Sequence, residues 1–191
     1  AEEQFIALDI AIDNSAALIK GAAGTGKSVL AIELARRFND DDLKVAVFCF
    51  NRLLADELTN QISNAKVHVS TIDSYALKFG RANLVALPSN NIEALKSIDF
   101  DKLSVPDSEK FDVIIVDEAQ DILNSTYHSL LNQSVLGGLL EGRWYAFGDL
   151  DAQKIYDQTD SIKFVRDHIK DVPVFTLTRN CRNTIQIGHF A

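Results

Sequence analysis

The stretch Gly21-Ala22-Ala23-Gly24-Thr25-Gly26-Lys27-Ser28 constrains this chain more than any other. It follows the apolar run Ala16-Ala17-Leu18-Ile19 and precedes Val29-Leu30-Ala31-Ile32-Glu33-Leu34, so the order reads strand, glycine-rich turn, helix start. That is the phosphate-binding loop pattern G-x-x-x-x-G-K-[ST] in the context it requires. Glycine at 21, 24 and 26 lets the main chain turn and approach an anion where a Cβ would clash, with successive N–H groups turned inward. The start of the following helix adds its dipole and its unpaired N–H groups. Lys27 offers a point charge to the β and γ phosphates, and the Ser28 hydroxyl is placed to ligate Mg²⁺. Gly21, Gly24, Thr25, Gly26, Lys27 and Ser28 are therefore the candidate ATP-binding residues. A plain Gly/Ala-rich turn is the competing reading, and the flanking strand and helix argue against it.

The 191 residues are enough for one ordinary domain with a sizeable core and no need of disulfides or structural metal. Nothing approaches a transmembrane run and no basic apolar leader opens the chain, so a soluble, cytoplasmic protein with no membrane partner is expected. Cys49 and Cys181 are far apart and read as reduced thiols, Cys49 filling the core; His68, His128, His168 and His189 lack metal-ligand spacing. Asp plus Glu number 27 against 19 Lys plus Arg, a net charge of −8 that argues against bulk attraction to nucleic acid while leaving room for a local basic strip. The chain contains no Met and stops in what reads as an unfinished helix, so a piece of a longer protein is expected.

Apolar runs and helical spacings alternate along the chain. An amphipathic opening segment carries Ile6, Leu8, Ile10 and Ile12, and after the loop Val29, Leu30, Ile32 and Leu34 recur at helical spacing as far as about Phe38. Val45–Phe50 is too continuously apolar for a half-exposed strand and reads as a central parallel one. Asn51-Arg52 leads into a helix with Leu53, Leu54, Leu58 and Ile62, Val67-His68-Val69 is a short strand, and a helical turn runs through Tyr75 to Phe79. Residues 81–110, with Pro88, Pro106 and one short pattern at Ile92, Leu95 and Ile98, read as a surface insertion outside the sheet. Phe111–Val116 resumes the buried-strand pattern, a helix is expected from about Ser125 to a break at Gly137-Gly138, and Trp144–Phe147 and Val174–Leu177 are further strands. Strands alternating with helices imply an α/β fold with a parallel sheet covered on both faces and functional residues at the carboxyl ends of the strands.

An apolar strand ending in Asp117-Glu118 is the expected partner of such a loop. Asp117 would share Mg²⁺ with Ser28, while Glu118 would orient and deprotonate the attacking water. Asp117-Glu118-Ala119-Gln120-Asp121 resembles the D-E-A-Q-D motif of superfamily I helicases of the UvrD/Rep type, and further motifs follow in matching order. Gln4 resembles the adenine-reading glutamine of that family; Phe50-Asn51-Arg52 and Ser70-Thr71-Ile72-Asp73-Ser74 resemble its single-strand contact motifs. Gly148-Asp149 with Gln153, Ile155 and Tyr156 resembles the motif whose glutamine senses the γ phosphate, and Leu177, Asn180 and Arg182 resemble the motif whose arginine reaches it. The resemblance implies a P-loop NTPase fold of RecA type spanning residues 1–191, with a second RecA-like domain beyond it and coupling of Mg-ATP hydrolysis to movement on single-stranded or partly duplex nucleic acid. It implies catalytic roles for Lys27, Glu118, Gln153 and Arg182, and nucleic-acid contacts for Asn51, Arg52, Thr71, Ser74 and Tyr156.

Each lesser residue has a plainer reading beside the implied one. Gln4 reads equally as a solvated helix residue, Arg182 as a surface cation, and Asn51 and Thr71 as helix caps. The departures weaken the strand-binding side: Asp157-Gln158 stand where relatives place aromatics, Ile72 and Asp73 replace an aromatic and a histidine, and Cys181 replaces a tyrosine. These departures leave a second expectation open, an ATP-binding regulatory module of a larger repair- or nuclease-associated protein.

Overall fold

Every apolar run read above as a buried strand contributes one to the computed structural model, and all the strands run parallel. The structure describes residues 2–62, 66–83, 87–150 and 161–178, with the main chain alone at residues 2–4. Strands β1 (Ala16–Gly21), β2 (Val45–Cys49), β3 (Val67–Thr71), β4 (Val113–Val116), β5 (Arg143–Gly148) and β6 (Val174–Leu177) form one sheet in the order β3-β2-β4-β5-β1-β6. Helix α1 (Glu2–Asp13) precedes β1, and α2 (Lys27–Asp40), α3 (Arg52–Gln61) and α4 (Ile72–Asn83) follow β1, β2 and β3.

Because side chains alternate along a strand, each of the four central strands, β1, β2, β4 and β5, feeds two cores at once. Leu18, Phe48, Ile114 and Trp144 face one side, beneath α4 and the later helices, with Trp144 Nε1 donating to Leu139 O. Ile19, Val47, Ile115 and Tyr145 face the other, under α1, α2 and α3. Burial on both faces accounts for the lack of polar alternation in these runs. Cys49 belongs to the second core, where burial first and then the nearby Asp117 and Glu118 push its thiol up to about 12. His68 lies among Phe48, Tyr75 and Phe111, and His128 and His168 flank Phe164, so these three histidines pack against aromatic rings. Cys181 and His189 lie outside the described residues.

The order of strands matters for function. β5 sits between β1 and β4, so the tips of β1 and β4 share the carboxyl edge of the sheet and stand two strand spacings apart, roughly 10 Å.

Several local expectations shift. The helix expected from about Ser125 is α7 (His128–Ser134), with α6 (Ala119–Ile122) before it and α8 (Gly138–Glu141) beyond the expected break at Gly137-Gly138. Asn124 interrupts α6 and α7: its Oδ1 accepts from Thr126 N–H and its Nδ2 donates to Asp121 O, bonds that compete with a helical backbone. Gly137 and Gly138, at φ of 81° and 65°, separate α7 and α8. Phe111 stands apart from β4 as a single bridge to Val135. Val29 and Leu53 are exposed although their helical spacing placed them inward, because the buried stripes run through Leu30–Leu34 and Ala55–Leu58 instead, and Phe50 is exposed because β2 ends at Cys49. A helix with no counterpart in the sequence reading lies between β5 and β6, spans Ser161–His168 and is α9.

Residues 87–110 contain α5 (Asn91–Ser97), capped by Asn90, and two single 3-10 turns, and they contribute no strand. Ala94, Ile98, Phe100 and Val105 are buried in the first core. Opposite them, the Tyr127 hydroxyl donates to Asp73 Oδ1 and ties the start of α4 to the loop before α7; burial, then this contact, holds the phenol pKa well above its ordinary value. Tyr127→Phe leaves that carboxylate without its donor and is expected to lower unfolding stability by about 1.5–3 kcal/mol in a denaturant titration. No helix among the described residues is long and apolar enough to cross a membrane.

Candidate functional site

The chain leaves β1 at Gly21 and turns through Ala22–Gly26 before α2 begins. Gly24 and Gly26 both take φ of 86°, a left-handed conformation that costs glycine little, and Gly26 caps α2 without a side-chain bond. Gly21 is required for a different reason from the one its position in the motif first implies. A Cβ there would lie 2.6 Å from Thr25 Oγ1 and 3.1 Å from Leu177 Cβ, so the turn closes against β6 only with glycine. Thr25 is buried and donates its hydroxyl to Ala22 O at 2.8 Å, cross-bracing the turn. Lys27 is 8% exposed, its ammonium donating to Gly21 O at 2.7 Å and Ala22 O at 2.9 Å. The cation thus sits at the mouth of the loop on two main-chain carbonyls, positioned for exchange with an anionic ligand.

Across β5 lies the tip of β4. Asp117 N–H donates to Phe48 O at 2.8 Å, fixing the residue against β2, and its side chain is fully buried. Burial is the main influence on this carboxyl and raises its pKa; the Ser28 hydroxyl, the Glu118 N–H and the Lys27 ammonium pull it back. Asp117 Oδ1 accepts from Glu118 N–H at 3.0 Å, while Oδ2 is buried with no partner in hydrogen-bonding geometry. An orphaned, solvent-inaccessible carboxylate oxygen is costly and needs a reason. A divalent cation would supply one, because Mg²⁺ is commonly held by one or two carboxylates plus substrate phosphates rather than by an all-protein cage. The described residues also contain no cluster of three or more His, Cys, Asp or Glu side chains fit to hold a metal alone. With the apo carboxyl raised, ionisation costs the fold some stability as pH climbs through the carboxylate range, and a bound cation would offset that cost.

Glu118 follows in a left-handed conformation, φ 54° and ψ 45°, which for a non-glycine residue costs about 1 kcal/mol or more. Its side chain accepts from Gln120 Nε2. Glu118 joins Ala23, Gly24, Lys27 and Ser28 in lining an open cavity of about 460 Å³, whose far wall is Leu54, Leu58 and Gln61. A cavity of similar volume, about 440 Å³, between the 3-10 turn at Phe100, α7 and α9 shares none of these residues.

A sequence profile for the Schlafen group 3 DNA/RNA helicase domain matches residues 14–143, more than half of the chain. The chain belongs to the Schlafen group 3 DNA/RNA helicase domain family. Its fold is correspondingly that of helicase RecA-like domains. The Pif1 helicase of Candida albicans superposes with a TM-score of 0.54 at 19% identity over 95% of this chain and 40% of that one. The Hef helicase domain of Pyrococcus furiosus superposes with a TM-score of 0.55 at 12% identity over 94% of this chain and 39% of that one. The Schlafen group 3 domain described here therefore spans about two fifths of each of those chains. No curated protein matches it significantly in sequence.

In this Schlafen group 3 domain the other motif residues are distributed as follows. Asn51 caps α3, its Oδ1 accepting from Leu53 N–H at 2.8 Å, and Arg52 is exposed on the first turn. Thr71 Oγ1 accepts from Ser74 N–H at 3.1 Å and donates to Ser74 Oγ at 2.8 Å, so it caps α4. All four stand at the carboxyl edge of the sheet with the P-loop, although Asn51 and Thr71 already spend their side chains on the helix starts. Gln4 falls in α1, and nothing is described of its side chain. Gln153, Tyr156 and Arg182 lie outside the described residues. Gln120 is not among the site residues the sequence suggests; its only signal there is its place inside Asp117–Asp121.

Proposed function

We propose that this domain binds Mg-ATP between the P-loop and the tip of β4, hydrolyses it, and in its full-length protein couples hydrolysis to movement on nucleic acid in the manner of UvrD/Rep-type helicases. The observation that carries the reading is the buried Asp117 carboxylate, with an unpartnered oxygen, beside Ser28 and within the field of Lys27. The main-chain N–H groups of the turn and the first turn of α2 would bind the phosphates, with Lys27 exchanging carbonyl oxygens for phosphate oxygens. Ser28 and Asp117 would hold Mg²⁺, which when bound neutralises phosphate charge. Glu118, adjacent and lining the open cavity, is the candidate base for the attacking water. Gln153 and Arg182 as γ-phosphate contacts, Gln4 as the adenine contact and a further RecA-like domain belong to the same proposal.

The decisive assay is steady-state ATP turnover of the full native protein with and without single-stranded DNA or RNA. Turnover stimulated by either strand is the expected result; turnover indifferent to both removes the translocation half of the proposal.

One observation favours the alternative of an ATP-dependent regulatory module. Asn51 and Thr71 are engaged as helix caps, and Asp73 is anchored by Tyr127 in a segment where relatives contact a strand. Single-strand binding measured at low salt separates the two readings, since electrostatic contacts are strongest there. Measurable binding supports translocation, and its absence supports the regulatory module.

A further inference from the structure

Gln120 makes hydrogen bonds in two directions at the carboxyl edge. Its Nε2 donates to Glu118 Oε2 and, at 3.3 Å, to Asp121 Oδ2. Its Oε1 accepts from the Asp149 N–H at 3.1 Å, on the chain that has just left β5. The amide fits because residue 148 is glycine: a Cβ there would lie 2.5 Å from Gln120 Oε1, 3.0 Å from Leu150 Cδ2 and 3.1 Å from Ala119 N. One side chain therefore spans from the tip of β4 to the tip of β5, gripping a carboxylate at one end and a backbone donor at the other.

An amide is suited to this in a way that no other side chain of its length is, because it offers donor and acceptor on one rigid plane. Glu118 needs the donor. Its main chain is held in a left-handed conformation, and its carboxylate has freedom of its own that Gln120 removes. We propose that Gln120 is a positioning residue, holding the Glu118 carboxylate at a set distance from the β5 tip so that displacement of the chain at Asp149 displaces the base. The proposal rests on the reading of Glu118 as the base for ATP hydrolysis.

The test compares three variants in the full native protein: Glu118→Gln, Gln120→Ala and Gln120→Glu. Glu118→Gln examines the underlying reading, and wild-type turnover in that variant removes the base assignment itself. With Glu118→Gln inactive, Gln120→Glu becomes the discriminating variant. It keeps an oxygen for the Asp149 N–H but presents only acceptors to the Glu118 carboxylate. Misplacing a reacting group by about 1 Å can cost about 10²-fold. Both Gln120 variants are therefore expected to lose about that factor in kcat, with the dissociation constant for a fluorescent ATP analogue held within about twofold. A residue that merely braced β5 would behave otherwise: Gln120→Glu would turn over like wild type, and that result overturns the proposal. Wild-type kcat in both Gln120 variants overturns it as well. Should Gln120→Ala melt early, Gln120→Glu still decides the matter, since it preserves volume and the β5 tie.

Discussion

Glu118→Gln is expected to leave ATP binding intact and to lower turnover by about 10²–10⁴-fold, the usual share of general base catalysis. The substitution keeps the size of the side chain and removes its capacity to take a proton. Binding is expected to survive because the proposed phosphate cradle is backbone around Gly24 and Gly26 together with Lys27, none of which touches the Glu118 side chain through a hydrogen bond among the described residues. The main chain at residue 118 stays in its left-handed conformation, which glutamine tolerates about as well as glutamate. Single-turnover hydrolysis beside equilibrium titration with a fluorescent ATP analogue separates the two steps. Loss of binding in place of turnover would show that Glu118 is a ligand of the nucleotide rather than the base.

Lys27→Ala is expected to act on the other step and to weaken ATP binding about 100-fold or more. The loss combines a charge-assisted hydrogen bond of roughly 1.5–3 kcal/mol with Coulomb attraction to a polyanion in a half-enclosed site. In the unliganded fold the same change leaves the Gly21 and Ala22 carbonyls without their donor, so some loss of stability accompanies it. Calorimetric titration with Mg-ATP reads the affinity, and a thermal melt without nucleotide reads the stability. Unchanged affinity would mean that the ammonium remains on its two carbonyls when nucleotide binds, and the loop would then need another source of positive charge. The two substitutions together divide the site into a binding half and a chemical half. The reverse pattern would mean that the roles of Lys27 and Glu118 are misassigned.

The identity of the central strands was legible because burial on both faces leaves short, continuously apolar runs bounded by turn residues. Val45–Cys49 and Val113–Val116 are apolar at every position, and a parallel sheet is the common setting for such runs. Helix faces were less legible. Val29 and Leu53 have the spacing of core residues yet lie exposed, since a helical stripe wider than its contact leaves apolar residues at its margin. Helix α9 went unread because eight residues give a 3.6-residue period barely two repeats. The Asp117–Asp121 segment was legible as a candidate site but not as a shape: the left-handed turn at Glu118 and the break at Asn124 are local geometry that no periodicity records.

By itself the sequence determined the parts: a glycine-rich turn of phosphate-binding pattern, an acidic strand end, and alternating strands and helices that point to a parallel sheet. Only the tertiary structure decided that these parts meet. Strand order sets β5 between β1 and β4, which brings Lys27, Ser28, Asp117 and Glu118 to one edge and buries an Asp117 oxygen without a partner. It also decided the work of Gln120 and Gly148, which are ordinary letters until two strand tips come within reach of a single amide. The physical reason is one of range. Turn chemistry and periodicity act over a few residues and can be read along the chain, whereas hydrogen bonds between distant residues exist only after hydrophobic burial has chosen the order of the strands.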